Sequence, residues 1–464
     1  MDCPPPTPPP CGRGVKPDHA KSDSPAVQAQ LDRLAALSPG RDVLGLERIA
    51  ALCERLGNPQ DRLPPVFHVA GTNGKGSTCA FLRAILEAAG MRVHVYSSPH
   101  LVRFNERIRL AGRLIEDDAL AVLLSEVLDH AEGLQASFFE VTTAAAFLAF
   151  SRTPADACII EVGLGGRLDA TNIIRKPAVC GIASLGIDHE AFLLAPEDGV
   201  PDMPPLQRIA WEKAGIIKPG VRLATLDYPY SIAQVIGAKA ASVGDVNSFY
   251  EGDVWAVLPA EDGGFHWRSK FGSIGPSLHP SLPGRHQWRN AGLAIAMLFL
   301  AGRLQPDEAA VVRGVTQAEW PARMQRLLPG PLLDTLPEGS AIWLDGGHNP
   351  DAGMALANAL EGTDRLHVIC GLLKNKDAAG FIKPFAHKIA SFQAVPIPGH
   401  DHHDPRDLCR WVQEDLGIVD ARPADAVADS LHQLAQAGTP ASVLICGSLY
   451  LAGEVLKANG QIPD

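Results

Sequence analysis

The sequence predicts an α/β fold in two parts, an N-terminal domain carrying a phosphate loop (P-loop) on a mostly parallel sheet and a smaller C-terminal α/β domain. Three observations predict it. Strand-like apolar runs alternate with helix-like segments from about Pro25 onward, the pattern of parallel sheets covered by crossover helices. A glycine-rich stretch, Ala70-Gly71-Thr72-Asn73-Gly74-Lys75-Gly76-Ser77-Thr78, joins one such strand to one such helix. A chain of 464 residues, 46% hydrophobic and 20% charged, is also longer than one core usually organises.

The strand candidates are, in order, Val66–Ala70, Val93–Tyr96, Ala157–Glu161, Val179–Ser184, Ala341–Leu344, Leu366–Cys370 and Ser442–Cys446. Each is a short apolar run suited to a strand covered on both faces. Residues 1–25 are proline-rich and read as a disordered tail. Residues 26–319 then form the first domain, although Ala260–Pro283, rich in Gly, Ser and Pro, reads as less regular. Glu319-Trp320-Pro321-Ala322-Arg323 precedes a second α/β set, which places the second domain at 320–464.

The glycine-rich stretch reads as a nucleoside triphosphate cradle. Val66-Phe67-His68-Val69 precedes it, and Thr78–Ala89 follows with Phe81, Leu82, Ile85 and Leu86 at helical spacing before Gly90. A loop feeding a helix N-terminus offers free N–H groups and a favourable dipole to phosphate oxygens. Glycines let the backbone approach, Lys75 supplies charge at the β/γ end, and Ser77 or Thr78 can reach Mg²⁺. The strict pattern is missed, because Val69 stands at the first glycine and Gly76 intervenes between Lys75 and Ser77.

Composition excludes several classes. A net charge of −11 argues against a general nucleic-acid binder, so an anionic ligand needs a local positive site. No apolar run approaches a membrane span, and the first residues lack a signal peptide's basic and apolar regions. The nine cysteines form no C-x-x-C pair, and Cys158, Cys180, Cys370 and Cys446 read as reduced core residues of a cytoplasmic protein.

Further constellations sit at strand ends. Ser98, in Ser97-Ser98-Pro99-His100-Leu101, could ligate a cation beside a phosphate site. Glu161 ends a buried strand ahead of the Gly163–Gly166 loop, where an ionised carboxylate needs a partner or a metal. His189, in Leu185-Gly186-Ile187-Asp188-His189-Glu190, could complete a metal shell. Lys213, in Glu212-Lys213-Ala214-Gly215-Ile216-Ile217-Lys218-Pro219, lies among apolar residues, where burial eases deprotonation. His400, Asp401, His402, His403 and Asp404 read as a solvated turn.

Together with Leu44-Gly45-Leu46-Glu47-Arg48, Arg103-Phe104-Asn105-Glu106-Arg107, Asp345-Gly346-Gly347-His348-Asn349-Pro350 and Cys446-Gly447-Ser448, these motifs resemble the Mur ligase-like ATP-dependent amide ligases. Within them the chain is similar to the dihydrofolate synthase/folylpolyglutamate synthase branch over nearly all residues after 40. The resemblance implies a P-loop ATPase domain, a Rossmann-like C-terminal ligase domain and an ATP phosphate clasp at Asn73, Gly74, Lys75, Gly76 and Ser77. It implies further ATP contacts at Asn290, Arg323 and Asp345. Ser77, Ser98, Glu161 and His189 would be ligands of two Mg²⁺ ions, with Lys213 carbamylated to join them, and Lys75, Lys213 and His348 would serve catalysis. Leu44, Gly45, Leu46, Phe139, Glu140, Leu168, Asp169 and Ala170 resemble the pteroate-binding wall. The resemblance assigns no role to the insertions Pro196–Pro205 and Pro329–Gly339.

The resemblance implies that ATP joins L-glutamate to dihydropteroate and to reduced folates through an acyl phosphate. The small-molecule partners would be those substrates, with no nucleic acid or membrane, and the chain would act as a monomer. Alternatives are a folylpolyglutamate synthase only, a peptidoglycan ligase, for which too little chain precedes the loop, or a non-catalytic nucleotide switch.

Overall fold

A computed structural model describes residues 21–37, 44–197, 199–244, 246–363 and 365–464. Most of the expected tail, residues 1–20, lies outside the described residues, and Pro25 already opens a helix, Pro25–Leu37.

The first sheet contains β1 (Val66–Ala70), β2 (Val93–Tyr96), β3 (Ile108–Leu110), β4 (Arg113–Leu114), β5 (Ala157–Glu161), β6 (Val179–Ile182), β7 (Arg222–Thr225) and β8 (Ser248–Tyr250). Its order is β4-β3-β2-β5-β1-β6-β7-β8, parallel throughout except where β3 meets β2 and β4. β1, β2, β5 and β6 are buried at every position. Alternate side chains therefore enter two different cores. Val66, Cys158, Ile160 and Tyr96 face helices Glu47–Arg55, Asp117–Ala131 and Phe138–Arg152, whereas Phe67, Val69, Val95 and Ile159 face helices Lys75–Ala88, His286–Leu300 and Glu308–Gln317.

Two expectations are corrected here. The helix after the phosphate loop begins at Lys75, not Thr78, because left-handed Gly74 (φ 80°) caps it and Thr78 N–H already donates to Gly74 O at 2.9 Å. The Ala260–Pro283 stretch is ordered as part of an antiparallel meander, β9 (Trp255–Pro259), β10 (Phe265–Ser269) and β11 (Gly272–Ser273). Phe265 and Trp267 alternate inward from β10, and Trp267 Nε1 donates to Gly292 O at 3.1 Å, pinning the meander onto helix His286–Leu300.

The second α/β unit has β12 (Gln325–Arg326), β13 (Ala341–Leu344), β14 (Leu366–Cys370), β15 (Ile389–Ala394), β16 (Ala421–Pro423) and β17 (Ser442–Cys446), ordered β12-β13-β17-β14-β15-β16. Only β12 runs antiparallel to its neighbour. The two α/β units pack directly: a Cβ added at Gly453, in the helix Leu449–Ala458, would lie 1.9 Å from Leu101 O of the first unit. The Pro329–Gly339 insertion buries Leu332 and Leu336 in this second core, and Asn459 Oδ1 accepts from Leu332 N–H at 3.0 Å, so it is a packed segment. Among the described residues no helix is long and apolar enough to cross a membrane, and Cys53, Cys79, Cys158, Cys180, Cys370, Cys409 and Cys446 are free and buried.

The helix below the phosphate loop depends on one close crossing. A Cβ at Gly314 would lie 2.4 Å from Ile85 Cα and 2.5 Å from Ile85 N, both backbone atoms that cannot step aside. Gly314→Ala is expected to destabilise the chain by about 1–3 kcal/mol, read as a lower midpoint in urea unfolding; an unchanged midpoint would mean the two helices separate freely.

Candidate active site

Four strand ends converge on one cleft, as ligand sites do at the carboxyl edge of parallel sheets. The loop after β1 lines a cavity of about 280 Å³ together with Ser98, Glu161, His189, Asn290, Arg323, Asp345 and His348. Lys75 Nζ folds back over its own loop, donating to Gly71 O at 3.0 Å and Thr72 O at 3.2 Å. Ser77 lines the cavity, whereas the Thr78 hydroxyl is fully buried without a partner among the described residues, so Ser77 is the hydroxyl that reaches the cleft. Asn290 seats against the loop: a Cβ at Gly74 would lie 2.4 Å from Asn290 Oδ1, and Asn290 Nδ2 donates to Gln287 Oε1 at 2.9 Å.

Glu161 is 5% exposed and its Oε2 accepts from Ser98 N–H at 3.4 Å. Burial raises its carboxyl pKa, opposed by Lys75, the Ser98 N–H, Arg323 and Arg107. His189 follows β6 with a left-handed backbone (φ 54°) at the cavity wall. The cleft desolvates its ring, and Lys376, Lys75 and Lys213 repel a proton, so its pKa falls to about 4 against the attraction of Asp188. Lys213, in the last turn of helix Pro205–Ala214, is 4% exposed. Burial first, then Lys75, lowers its pKa to about 7 against Asp188, Asp169 and Glu212, and its amine has no hydrogen-bond partner among the described residues.

The second unit closes the other wall. Asp345 Oδ2 accepts from Met324 N–H at 2.8 Å and its Oδ1 from Gly347 N–H at 2.7 Å, which fixes the turn that carries His348. His348 Nδ1 lies 3.0 Å from Gly346 O and its Nε2 3.3 Å from Asp188 Oδ2. Asn349 exchanges two 3.1 Å hydrogen bonds with Asn73 and donates to Asp188 Oδ2 at 3.1 Å, and Lys376 Nζ pairs with Asp188 Oδ1. Burial alone would raise the Asp188 pKa, but the His348 hydrogen bond and the charges of His189 and Lys376 hold it well below the usual carboxylate range.

Of the residues expected to bind pteroate, several pack around the glycine loop and one core, and the two carboxylates are engaged within the chain. Phe139 covers the glycine loop, its Cζ 2.4 Å from where a Gly163 Cβ would stand, with its ring 6.0 Å from that of Tyr96. Leu46 packs against the same core, Leu44 and Gly45 lead into helix Glu47–Arg55, Leu168 is half-buried and Ala170 is buried. Glu140 completes a capping box with Ser137 and pairs with Arg48 at 3.0 Å, so its carboxylate builds the helix start. Asp169 is 2% exposed and accepts from Leu164 N–H at 2.8 Å, Thr171 N–H at 3.0 Å and Thr171 Oγ1 at 2.5 Å. Its oxygens shape the glycine loop and cap the next turn, so they are spent within the chain.

The insertion Pro196–Pro205 reaches this region through Glu197, which pairs with Arg167 and Arg208. Both guanidiniums also pair with Glu212 and flank the Trp211 ring at 4.8 and 5.1 Å, one residue from Glu212 and two from Lys213. The His400–Asp404 segment has structural partners: His402 Nδ1 meets His400 O at 2.7 Å, His403 Nε2 meets Lys376 O at 2.9 Å, and Asp404 caps helix Pro405–Leu416.

A Bacillus subtilis dihydrofolate synthase/folylpolyglutamate synthase is 32% identical over 440 residues, 89% of this chain and 94% of that one. The chain belongs to the dihydrofolate synthase/folylpolyglutamate synthase family. The family model for the Mur ligase glutamate ligase domain matches residues 332–449. Escherichia coli FolC, solved in complex with DHPP and ADP, superposes with a TM-score of 0.79 at 31% identity over 94% of this chain and 97% of that one. A Yersinia pestis bifunctional synthase of this family, complexed with AMPPNP and a Mn ion, gives a TM-score of 0.78 at 30% identity over 94% and 98%. This synthase fold also uses Asp188, Asn349 and Lys376, which sequence reasoning did not single out. Asp188 and Asn349 stand inside quoted motifs, but Lys376 reads as a surface lysine until the fold brings it to Asp188.

A buried relay supports the glycine loop from below: His68 Nε2, on β1, lies 2.9 Å from Thr171 Oγ1, which donates to Asp169. Burial, and then Lys218, lowers the His68 pKa from 6.5 to about 3. The unfolded chain therefore binds the extra proton in this window, so the stabilisation is complete above pH 6.5 and declines as pH falls toward 3. His68→Gln cannot titrate, and its unfolding midpoint is expected to fall less steeply than the wild type's between those pH values; parallel curves would show that His68 does not govern acid stability.

Proposed function

We propose that this chain is an ATP-dependent ligase that joins L-glutamate to dihydropteroate and to reduced folates. One observation carries the reading: the phosphate loop and a buried carboxylate at Glu161 line one cleft whose far wall is the Asp345–His348 turn, and behind them the buried amine of Lys213 is near enough to Lys75 and Asp188 to feel their charges. The relatives' activities and ligands support it.

The donor set suits divalent cations. Glu161 is a buried carboxyl group whose ionised form gains from a further cation, Ser77 and Ser98 offer hydroxyls at the same cavity, and His189 is held neutral with a lone pair available. Mg²⁺ held by Ser77, Ser98, Glu161 and His189 would supply positive charge against the negative charge that develops during phosphoryl transfer. Lys213 adds a third type of ligand when carbamylated. Its neutral amine attacks CO₂, forming an N–C bond and releasing one proton, which turns a cation into an anionic oxygen donor.

A carboxylate is a poor acyl donor because oxide is a poor leaving group. The folate carboxylate oxygen therefore attacks the γ-phosphorus and ADP departs, with Lys75 and the loop amides holding the phosphates in place. The glutamate amine then attacks the acyl carbon, loses a proton, and phosphate leaves as the amide forms. Asn73–Asn349 and the Asp188 cluster hold the two walls together, which excludes water from the acyl phosphate. In this reading residues 26–319 hold nucleotide and pteroate, residues 320–464 complete the site, and a single cytoplasmic chain is the working unit.

The test is to incubate purified protein with ATP, Mg²⁺ and glutamate, supplying dihydropteroate or tetrahydrofolate separately, and to identify products by mass. Amide products from both substrates are expected. Extension of tetrahydrofolate alone would leave a folylpolyglutamate synthase, and ADP release without amide would leave a nucleotide switch.

Two variants test the assigned groups. Glu161→Gln keeps the shape and removes the anion, so turnover is expected to fall by at least about a hundredfold with unchanged melting, given several kcal/mol of charge stabilisation at such a site; wild-type turnover would remove Glu161 from the metal set. Lys213→Ala is expected to lose activity that short carboxylic acids partly restore. An unmodified lysine mass in protein equilibrated with bicarbonate would overturn the carbamate.

A further inference from the structure

Gly76, the residue that breaks the strict phosphate-loop pattern, lies against the indole of Trp320. A Cβ added at Gly76 would stand 2.6 Å from three indole atoms, Cε2, Cζ2 and Nε1. Gly76 is not among the residues of positive φ, so the neighbouring ring, rather than backbone conformation, demands the absence of a side chain. Trp320 is partly buried against the first domain's core and belongs to the connection that leads into the second sheet.

That connection is strained immediately after the ring. Ala322 and Met324 carry side chains yet have φ of 56° and 45°, a region costly for such residues and kept only where surroundings enforce it. The enforcing bonds are short: Ala322 N–H to Gln325 Oε1 at 2.9 Å, Gly346 N–H to Ala322 O at 3.0 Å, and Met324 N–H to Asp345 Oδ2 at 2.8 Å. Between the two left-handed residues stands Arg323, which lines the nucleotide cavity beside Glu161 and Asp345. On the other side, Trp320, Glu161 and Arg323 border a neighbouring cavity of about 470 Å³, so the ring stands between that space and the first turn of the helix Lys75–Ala88.

We propose that Trp320 is a positioning residue for the phosphate loop: its ring clamps Gly76, and the strained strap Pro321–Met324 ties that clamp to Arg323 and Asp345. Loop amides from one domain and the arginine from the domain connection are thereby set as one unit. The proposal rests on the nucleotide-binding reading above. An aliphatic side chain in place of the indole would leave the first amides of the helix open to water, and a side chain at Gly76 would push the strap away.

The experiment measures AMPPNP binding calorimetrically with Mg²⁺ for wild type, Trp320→Ala, Gly76→Ala and the double variant. Each single change is expected to weaken binding about tenfold, and the double variant to be at least about fivefold tighter than independent losses would give, because clash and clamp disappear together. Trp320→Phe keeps a ring and is expected to bind within about twofold of wild type, well above Trp320→Ala. If Gly76→Ala does not fold, the Phe and Ala variants at 320 carry the test, joined by the fluorescence difference between wild type and Trp320→Phe, which is expected to shift on adding AMPPNP. Wild-type binding in Trp320→Ala, multiplicative losses in the double variant, or a difference signal blind to nucleotide would each overturn the proposal. Because binding is read directly, normal AMPPNP binding without amide formation counts against the ligation reading alone, and a wild type that does not bind AMPPNP counts against both.

Discussion

Asp188 joins the two halves of the molecule by charge. It leaves the end of β6 in the first sheet, yet its partners His348, Asn349 and Lys376 all belong to the second unit. Bringing these groups out of water costs several kcal/mol per ion before any attraction is recovered. The gain is in geometry more than in stability, because a carboxylate with three directed partners admits one orientation of the facing wall. A Cβ at Gly186, two residues earlier, would lie 1.5 Å from Asp351 Oδ2, so a side chain there would have to displace that carboxylate.

Several glycines of the site are explained by what stands beside them. Gly74 has both a left-handed backbone and the Asn290 carboxamide at its face, Gly163 lies under Phe139, and Gly166 meets the Lys213 backbone, with its Cβ position 2.9 Å from Lys213 O. The loops around the cleft are therefore close-packed against neighbouring parts of the chain, which limits the freedom they would otherwise have.

Much of this was legible in the chain. The central strands are continuous apolar runs because they are covered on both faces, so they stand out without any alignment, and the phosphate loop follows from its glycines, its lysine and the flanking strand and helix. The β9–β11 meander was hidden because Gly, Ser and Pro at its turns outweighed the inward alternation of Phe265 and Trp267. The sequence offered Glu140 and Asp169 as ligand contacts, but it does not reveal that their oxygens are engaged within the chain, by Ser137 and Arg48 for Glu140 and by Leu164 and Thr171 for Asp169. Lys376 and Trp320 depended on contacts between distant segments, 188 residues apart for Lys376 and Asp188, which no local pattern encodes.

The clamp around Trp211 has a consequence for how this chain tolerates change. The 196–205 insertion is fastened near its start by Glu197, and helix Pro205–Ala214 resumes at its end. Surface connections accept changes of length and composition more readily than the elements they join. A change in this loop that spares Glu197 would therefore leave Arg167, Arg208 and Glu212 still holding the lysine two residues beyond Trp211 in place.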